Sequence, residues 1–323
     1  MLKLFHSNRT FVLALIPLIL ASFFMLNYFA DYHQIEPQLK LGFWGRYHVE
    51  NSIVFSIPAF LLVGVGAIVM NNLFNRNDFT EKNNFLPSLL YIIFSSLFYF
   101  NYFIDGVGIA QFFLILMFRQ LFRLRQKEDG RRLVFNAAFF FGIACTFFPF
   151  LMLALPFLYF MIWISRPFIF RESALAFTGF AVPFVYVLLF GYIMDVELNL
   201  ISFTSSSKEF YKIDLIVAFV TAGLFSLLGL KSLLHKFQVS SIRLKKIFRL
   251  IILLTILFIG IGLIDAFLYQ KMQVVSWLII PMALIIPMAF GAERVLLIPS
   301  IVFYILLLFC VSKFFIPFES FVL

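Results

Sequence analysis

FVLALIPLILASFFMLNYF, Phe11–Phe29, is the first long apolar run of the chain. It carries no charge and runs about 19 residues, enough to cross a hydrocarbon layer as a helix. Lys3 and Arg9 precede it, as basic residues precede a secretory signal. Cleaved signals, however, have apolar cores of only about 7–15 residues. The run therefore reads as an uncleaved first span, 10–29. Comparable apolar runs follow at 52–71, 85–103, 107–124, 133–148, 150–165, 173–194, 213–231, 248–268, 274–290 and 295–312, so eleven spans are predicted. The fifth and sixth are short and meet at Pro149, which predicts a hairpin that spans shallowly or re-enters.

Composition points the same way. Hydrophobic residues make up 63% of the 323, charged residues 13%, and the mean hydropathy is +1.02. A soluble chain this apolar could not cover its surface with polar groups. The expected fold class is all-α: a polytopic transmembrane helical bundle in one integral-membrane domain, 1–323, with no soluble domain. The 49 Phe suit a lipid-facing surface, although AT-rich coding accounts for them as well.

Basic residues fix an orientation. With the N-terminus inside, nineteen of the 25 Lys and Arg fall in inner segments. Lys40, Arg46, Lys208, Lys212, Lys271 and Lys313 fall outside. Short cytoplasmic loops carry such an excess, so the N-terminus is predicted in the cytoplasm and the C-terminus outside. The +9 net charge is then a property of the cytoplasmic face. It implies membrane lipids as partners and, with no nucleic-acid-binding motif present, no nucleic acid.

Several chemistries are absent from the sequence. It has no HExxH, no G-x-S-x-G and no P-loop. His6 and His235 lie on the predicted inner side, His33 and His48 on the outer, so the four cannot share a metal. Cys145 and Cys310 sit deep in separate apolar runs and read as buried small hydrophobes. No metal or cofactor is expected. No ionisable residue lies near the middle of a predicted span, which disfavours a proton- or ion-coupled transporter.

The polar residues that remain concentrate in the first outer loop, NYFADYHQIEPQLKLGFWGRYHVENS, 27–52. Asp31 follows the end of the first span and is the candidate catalytic carboxylate, able to act as a general base on an acceptor hydroxyl. Arg46 and His48 can neutralise a phosphate, and Trp44 can stack on a sugar ring. Gly42 and Gly45 let the backbone turn around Phe43 and Trp44. The same composition also suits any water-exposed connection between spans. On the inner side, Arg119 and Arg123 share a helix face at i, i+4, and with Arg166 at the end of the sixth run they form a candidate site for a lipid phosphate. Positive-inside anchoring explains them equally. NNLFNRNDFTEKNNF, 71–85, holds Asn at helix ends, where capping suffices.

RRLVFNAAFFFGIACTFFPFLMLALPFLYFMIWISRPFIFRESALAFTGFAVPFVYVLLFGYIMD, 131–195, resembles an uncharacterised family of polytopic inner-membrane proteins of Bacteroidota, and the likeness runs over most of the chain. Some members of that family bear a β-carotene oxygenase label, which the split histidines oppose. A second resemblance, in layout, is to GT-C type integral-membrane glycosyltransferases. It rests on an acid after the first span, a later Gly-containing helix, a Pro-marked reversal and a return helix ending in a basic residue, here Asp31, Gly142, Pro149 and Arg166. That resemblance implies transfer of a sugar from polyprenyl phosphate. It departs from the pattern in that Asp31 is followed by Tyr32 and not by a second acid. Three functions stand open: a transferase or polymerase on a polyprenyl-phosphate-linked glycan, a flippase or transporter of a lipid-linked substrate, and a non-catalytic subunit bound to other membrane proteins of envelope biogenesis.

Overall fold

The computed structural model describes residues 2–7, 11–29, 38–48, 52–80, 82–124, 129–167, 169–194, 242–269, 273–290 and 297–315, and the positions 217, 220, 221, 223, 224, 237 and 238. The described chain is helical apart from one short hairpin. The helices are α1 (Leu2–Phe5), α2 (Phe11–Phe29), α3 (Ser52–Arg76), α4 (Leu86–Leu97), α5 (Gly106–Leu124), α6 (Arg131–Phe147), α7 (Leu155–Ser165), α8 (Phe170–Met194), α9 (Ile242–Tyr269), α10 (Ile279–Ile285) and α11 (Leu297–Ser312). Strands β1 (Gln38–Lys40) and β2 (Arg46–His48) lie between α2 and α3. Five stretches are long and apolar enough to cross a membrane: Phe11–Phe29, Phe55–Arg76, Gly106–Leu124, Phe170–Met194 and Leu244–Asp265. The eighth predicted run, 213–231, lies mostly outside the described residues.

The apolar stretches divide by what they touch. All twelve residues of α4 are buried, so it is the axis of the bundle. By contrast α8 turns Phe177, Val185, Leu188, Leu189 and Tyr192 outward, and α2 exposes Leu13, Leu18 and Met25. Such outward apolar faces suit contact with lipid. Pro17, Pro58 and Pro183 sit inside α2, α3 and α8, a position that packing against neighbouring helices tolerates in membrane spans.

Small residues bring α6 against α8. A Cβ built on Gly142 would lie 2.6 Å from the Phe180 carbonyl oxygen, and one built on Gly179 would lie 2.6 Å from that of Phe135. Glycine at both positions lets the two backbones meet, as small residues do between membrane helices.

Short helices are lengthened by 3₁₀ turns. Pro149–Ala154 forms such a turn before α7, and Pro149 ends α6 because it cannot donate to the ladder. With the eleven residues of α7 the turn makes an apolar segment, Pro149–Ser165, that is shorter than the five stretches long enough to cross a membrane. Gln273–Leu278 and Ile286–Phe290 flank α10 in the same way.

The contacts sort into two ends. At one end, the Lys313 ammonium donates to the carbonyls of Ser96 (2.7 Å) and Leu97 (2.8 Å). There too Trp277 Nε1–H donates to the Val107 carbonyl at 3.2 Å, and Ile104 N–H to that of Phe55 at 3.1 Å. At the other end Phe85 N–H donates to the Phe5 carbonyl at 2.7 Å, Phe79 packs on Phe248, and Lys246 reaches the Ser165 carbonyl.

Candidate functional site

The hairpin of the first loop is built around two left-handed glycines, Gly42 at φ +61° and Gly45 at φ +99°. They flank a single 3₁₀ turn, Gly42–Trp44, closed by Leu41 N–H to the Gly45 carbonyl at 3.0 Å. The turn is seated on the bundle. Phe43 is buried against Phe184. Trp44 stacks on Phe147 and tilts against Phe190, with ring centroids 5.8 and 5.2 Å away. Its indole N–H donates to Thr146 Oγ1 at 3.1 Å. Gly42 lies so close to the ends of α6 that a Cβ there would meet the Phe147 carbonyl and sit 2.6 Å from that of Thr146.

The antiparallel register is Gln38↔His48, Leu39↔Tyr47 and Lys40↔Arg46. Two of the residues singled out in the sequence, Arg46 and His48, thus lie on one strand, with Arg46 at the register position opposite Lys40. Asp31 lies outside the described residues.

A second candidate region follows the seam between α3 and α5. Towards the hairpin end is a small cleft of about 20 Å³ whose walls include Tyr91, Ser95, Asn101, Gly108 and Gln111. Gln111 Nε2 donates to the Tyr91 hydroxyl at 3.3 Å, and Asn101 Nδ2 to the Ser95 carbonyl at 3.0 Å. Asp105 caps the start of α5, accepting from Gly108 N–H at 2.7 Å. At the opposite end of the same seam a shallow cleft of about 40 Å³ is lined by Val69, Asn72, Leu73, Arg76, Asn77, Arg119 and Arg123.

Arg119 and Arg123 therefore meet as their spacing implied, with Arg76 as third cation. Arg166 does not line that cleft. Its guanidinium lies 3.2 Å from the Glu172 carboxylate, beside Gly130, and Glu172 is itself buried. Arg76 was not among the sequence candidates. The signal was present in the i, i+4 pair Asn72 and Arg76, but nothing linear connects α3 to α5. The Asn-rich stretch does structural work. Asn75 bridges to the backbone of Asn84, and Asn84 Oδ1 accepts from Leu86 N–H at the start of α4. Among the described residues no three His, Cys, Asp or Glu gather into a possible metal site.

Fold and clefts together define a helical membrane protein with at least five helices able to cross a bilayer and polar sites at both ends of the bundle. No protein-family model, curated protein or solved structure matches the chain.

Proposed function

We propose that the chain is a multi-pass protein of the bacterial inner membrane that serves envelope biogenesis, acting as a GT-C-like transferase on a sugar linked to polyprenyl phosphate. It crosses the membrane eleven times, with the N-terminus in the cytoplasm and the C-terminus outside. Support for this topology comes from the two ends of the bundle. Each contact described there joins segments that the charge pattern assigns to one and the same side. Lys313 meets the end of α4, Phe5 meets Phe85, and Lys246 meets Ser165.

The single observation that carries the transferase reading is the seated hairpin, whose two strands bring Lys40, Arg46 and His48 into one short ribbon. The turn is anchored on the bundle through Trp44, and it follows the span that ends just before Asp31. In the proposed step Asp31 takes the proton of the acceptor hydroxyl as that oxygen attacks the anomeric carbon. The bond between that carbon and the carrier phosphate oxygen breaks, and the phosphate departs as an anion, neutralised by Arg46 and His48. Polyprenyl phosphate lies at headgroup level, where this loop begins.

A second reading, a carrier of lipid-linked substrate, is favoured by the cleft of Tyr91, Ser95, Asn101 and Gln111, which places neutral hydrogen-bonding groups among the spans. The two are separated by incubating the purified protein in vesicles with a labelled polyprenyl-phosphate sugar and an acceptor. Transfer of label to the acceptor, lost in Asp31→Asn, is the transferase outcome. Movement of intact labelled lipid between leaflets without turnover is the carrier outcome.

A further inference from the structure

We infer that the cleft between the C-terminal turns of α3 and α5 is a binding site for the phosphodiester headgroup of an anionic bilayer lipid whose headgroup also carries a hydroxyl. This site lies at the end of the bundle away from the hairpin and does not depend on the transferase reading.

Three observations build it. First, Arg76, Arg119 and Arg123 converge on one cleft from two helices. Val69, Asn72, Leu73, Arg76 and Asn77 recur at the three- and four-residue spacing of a single helix face, as do Arg119 and Arg123 on the facing helix. None of the three guanidiniums forms an ion pair with a carboxylate among the described residues. Arg119 and Arg123 are half-buried. Charge held there without a counter-ion is costly, and a phosphate presenting two oxygens to a guanidinium fork repays it.

Second, the cleft contains an acceptor that the protein leaves open. Asn77 is only 4% exposed. Its Nδ2 donates to the Leu73 carbonyl at 2.7 Å, while its Oδ1 is buried and has no hydrogen-bond partner. An unpaired buried acceptor is disfavoured. A phosphate cannot satisfy it, because a phosphodiester only accepts. A headgroup hydroxyl can donate to it while its phosphate sits on the arginines.

Third, the depth is right. Arg119 lies about five residues, or roughly 8 Å, inside the end of α5. The walls formed by Val69 and Leu73 are apolar, which suits the acyl-chain side of a lipid. Inorganic phosphate offers the same oxygens but no chain to lie along those walls.

The test uses the full chain reconstituted in vesicles of phosphatidylcholine doped with phosphatidylglycerol, extracted gently and weighed with its retained lipid by native mass spectrometry. The wild type should enrich phosphatidylglycerol over phosphatidylcholine by about tenfold or more, the worth of one or two charge-assisted hydrogen bonds. Arg119→Gln with Arg123→Gln should return retention to the vesicle ratio. Arg76→Gln, at an exposed chain position where folding is not at risk, should lower it several-fold. Asn77→Leu should weaken phosphatidylglycerol retention and leave the small retention of phosphatidylcholine unchanged. Equal retention by the wild type and the Arg119, Arg123 double variant would overturn the site. So would displacement of the lipid by millimolar inorganic phosphate, which would mark a free-anion site.

Discussion

Replacing Gly42 by alanine should lift the first-loop hairpin off the bundle. Gly42 sits at φ +61°, where an L side chain costs about 1–2 kcal/mol. The added methyl also runs into the Phe147 and Thr146 carbonyls, and forcing an extra carbon into a packed site costs about 1–3 kcal/mol. Together the penalty is about 2–5 kcal/mol. Against it stand the contacts that hold the turn. Burial of Phe43 is worth about 2 kcal/mol, the Trp44 indole hydrogen bond about 1, and its ring contacts about 1 more. A seat of about 4 kcal/mol opens roughly once in a thousand, since each 1.4 kcal/mol is tenfold. Thr146 lies fully buried beneath Trp44, and both native cysteines are buried, so Thr146→Cys reports opening. It gives up the indole hydrogen bond, which leaves a seat of about 3 kcal/mol that opens roughly once in 150. Labelling of that cysteine by a membrane-impermeant maleimide should rise on adding Gly42→Ala. The increase should fall between about thirtyfold and the fully open limit of about 150-fold. A change of less than threefold would refute the reasoning that close backbone approach at Gly42 seats the loop.

Three further outcomes follow from the packing. Lys313 is 1% exposed, holds the last carbonyls of α4, and lies over the rings of Tyr102 and Phe314, so Lys313→Met should destabilise the protein by about 2–4 kcal/mol in a detergent melt; an unchanged melt would contradict the helix-end role. Arg166→Gln strips the buried Glu172 of its guanidinium and should cost about 3–5 kcal/mol, with Arg166→Gln plus Glu172→Gln recovering most of it in a double-mutant cycle. Cysteines placed at Glu128 and at Ser206 should label from opposite sides of the membrane, and labelling of both from one side would overturn the eleven-span alternation.

The apolar runs were legible because a membrane helix must satisfy its own backbone and therefore writes its length into the sequence. Ten of the eleven predicted runs coincide with described helical segments, and the eighth falls mostly outside the described residues. What the runs hid was local geometry. The 3₁₀ turn that begins at Pro149 depends on hydrogen bonding, not on composition, and so does not stand out in the sequence. The strands 38–40 and 46–48 are too short for an alternation to stand out, although Gly42 and Gly45 marked the turn between them. For the site, i, i+4 spacing showed that Arg119 and Arg123 share a face. Only tertiary packing could add Arg76 from another helix or send Arg166 to Glu172. Burial of Lys313 was hidden because its partners, the carbonyls of Ser96 and Leu97, belong to the backbone of a distant segment and have no side-chain signature.

The proposed chemistry of the first loop, with Asp31 as general base and Arg46 binding phosphate, is tested by returning Asp31→Asn and Arg46→Ala, each alone, to a deletion strain of the native host. Envelope glycan is then measured alongside protein level. Loss of a general base costs about 10²–10⁴ in rate. Asp31→Asn is therefore expected to abolish the glycan restored by the wild-type chain, and Arg46→Ala to reduce it strongly, both at unchanged protein level. Full restoration by both variants would contradict the enzymatic account and leave the chain as a structural subunit of its assembly.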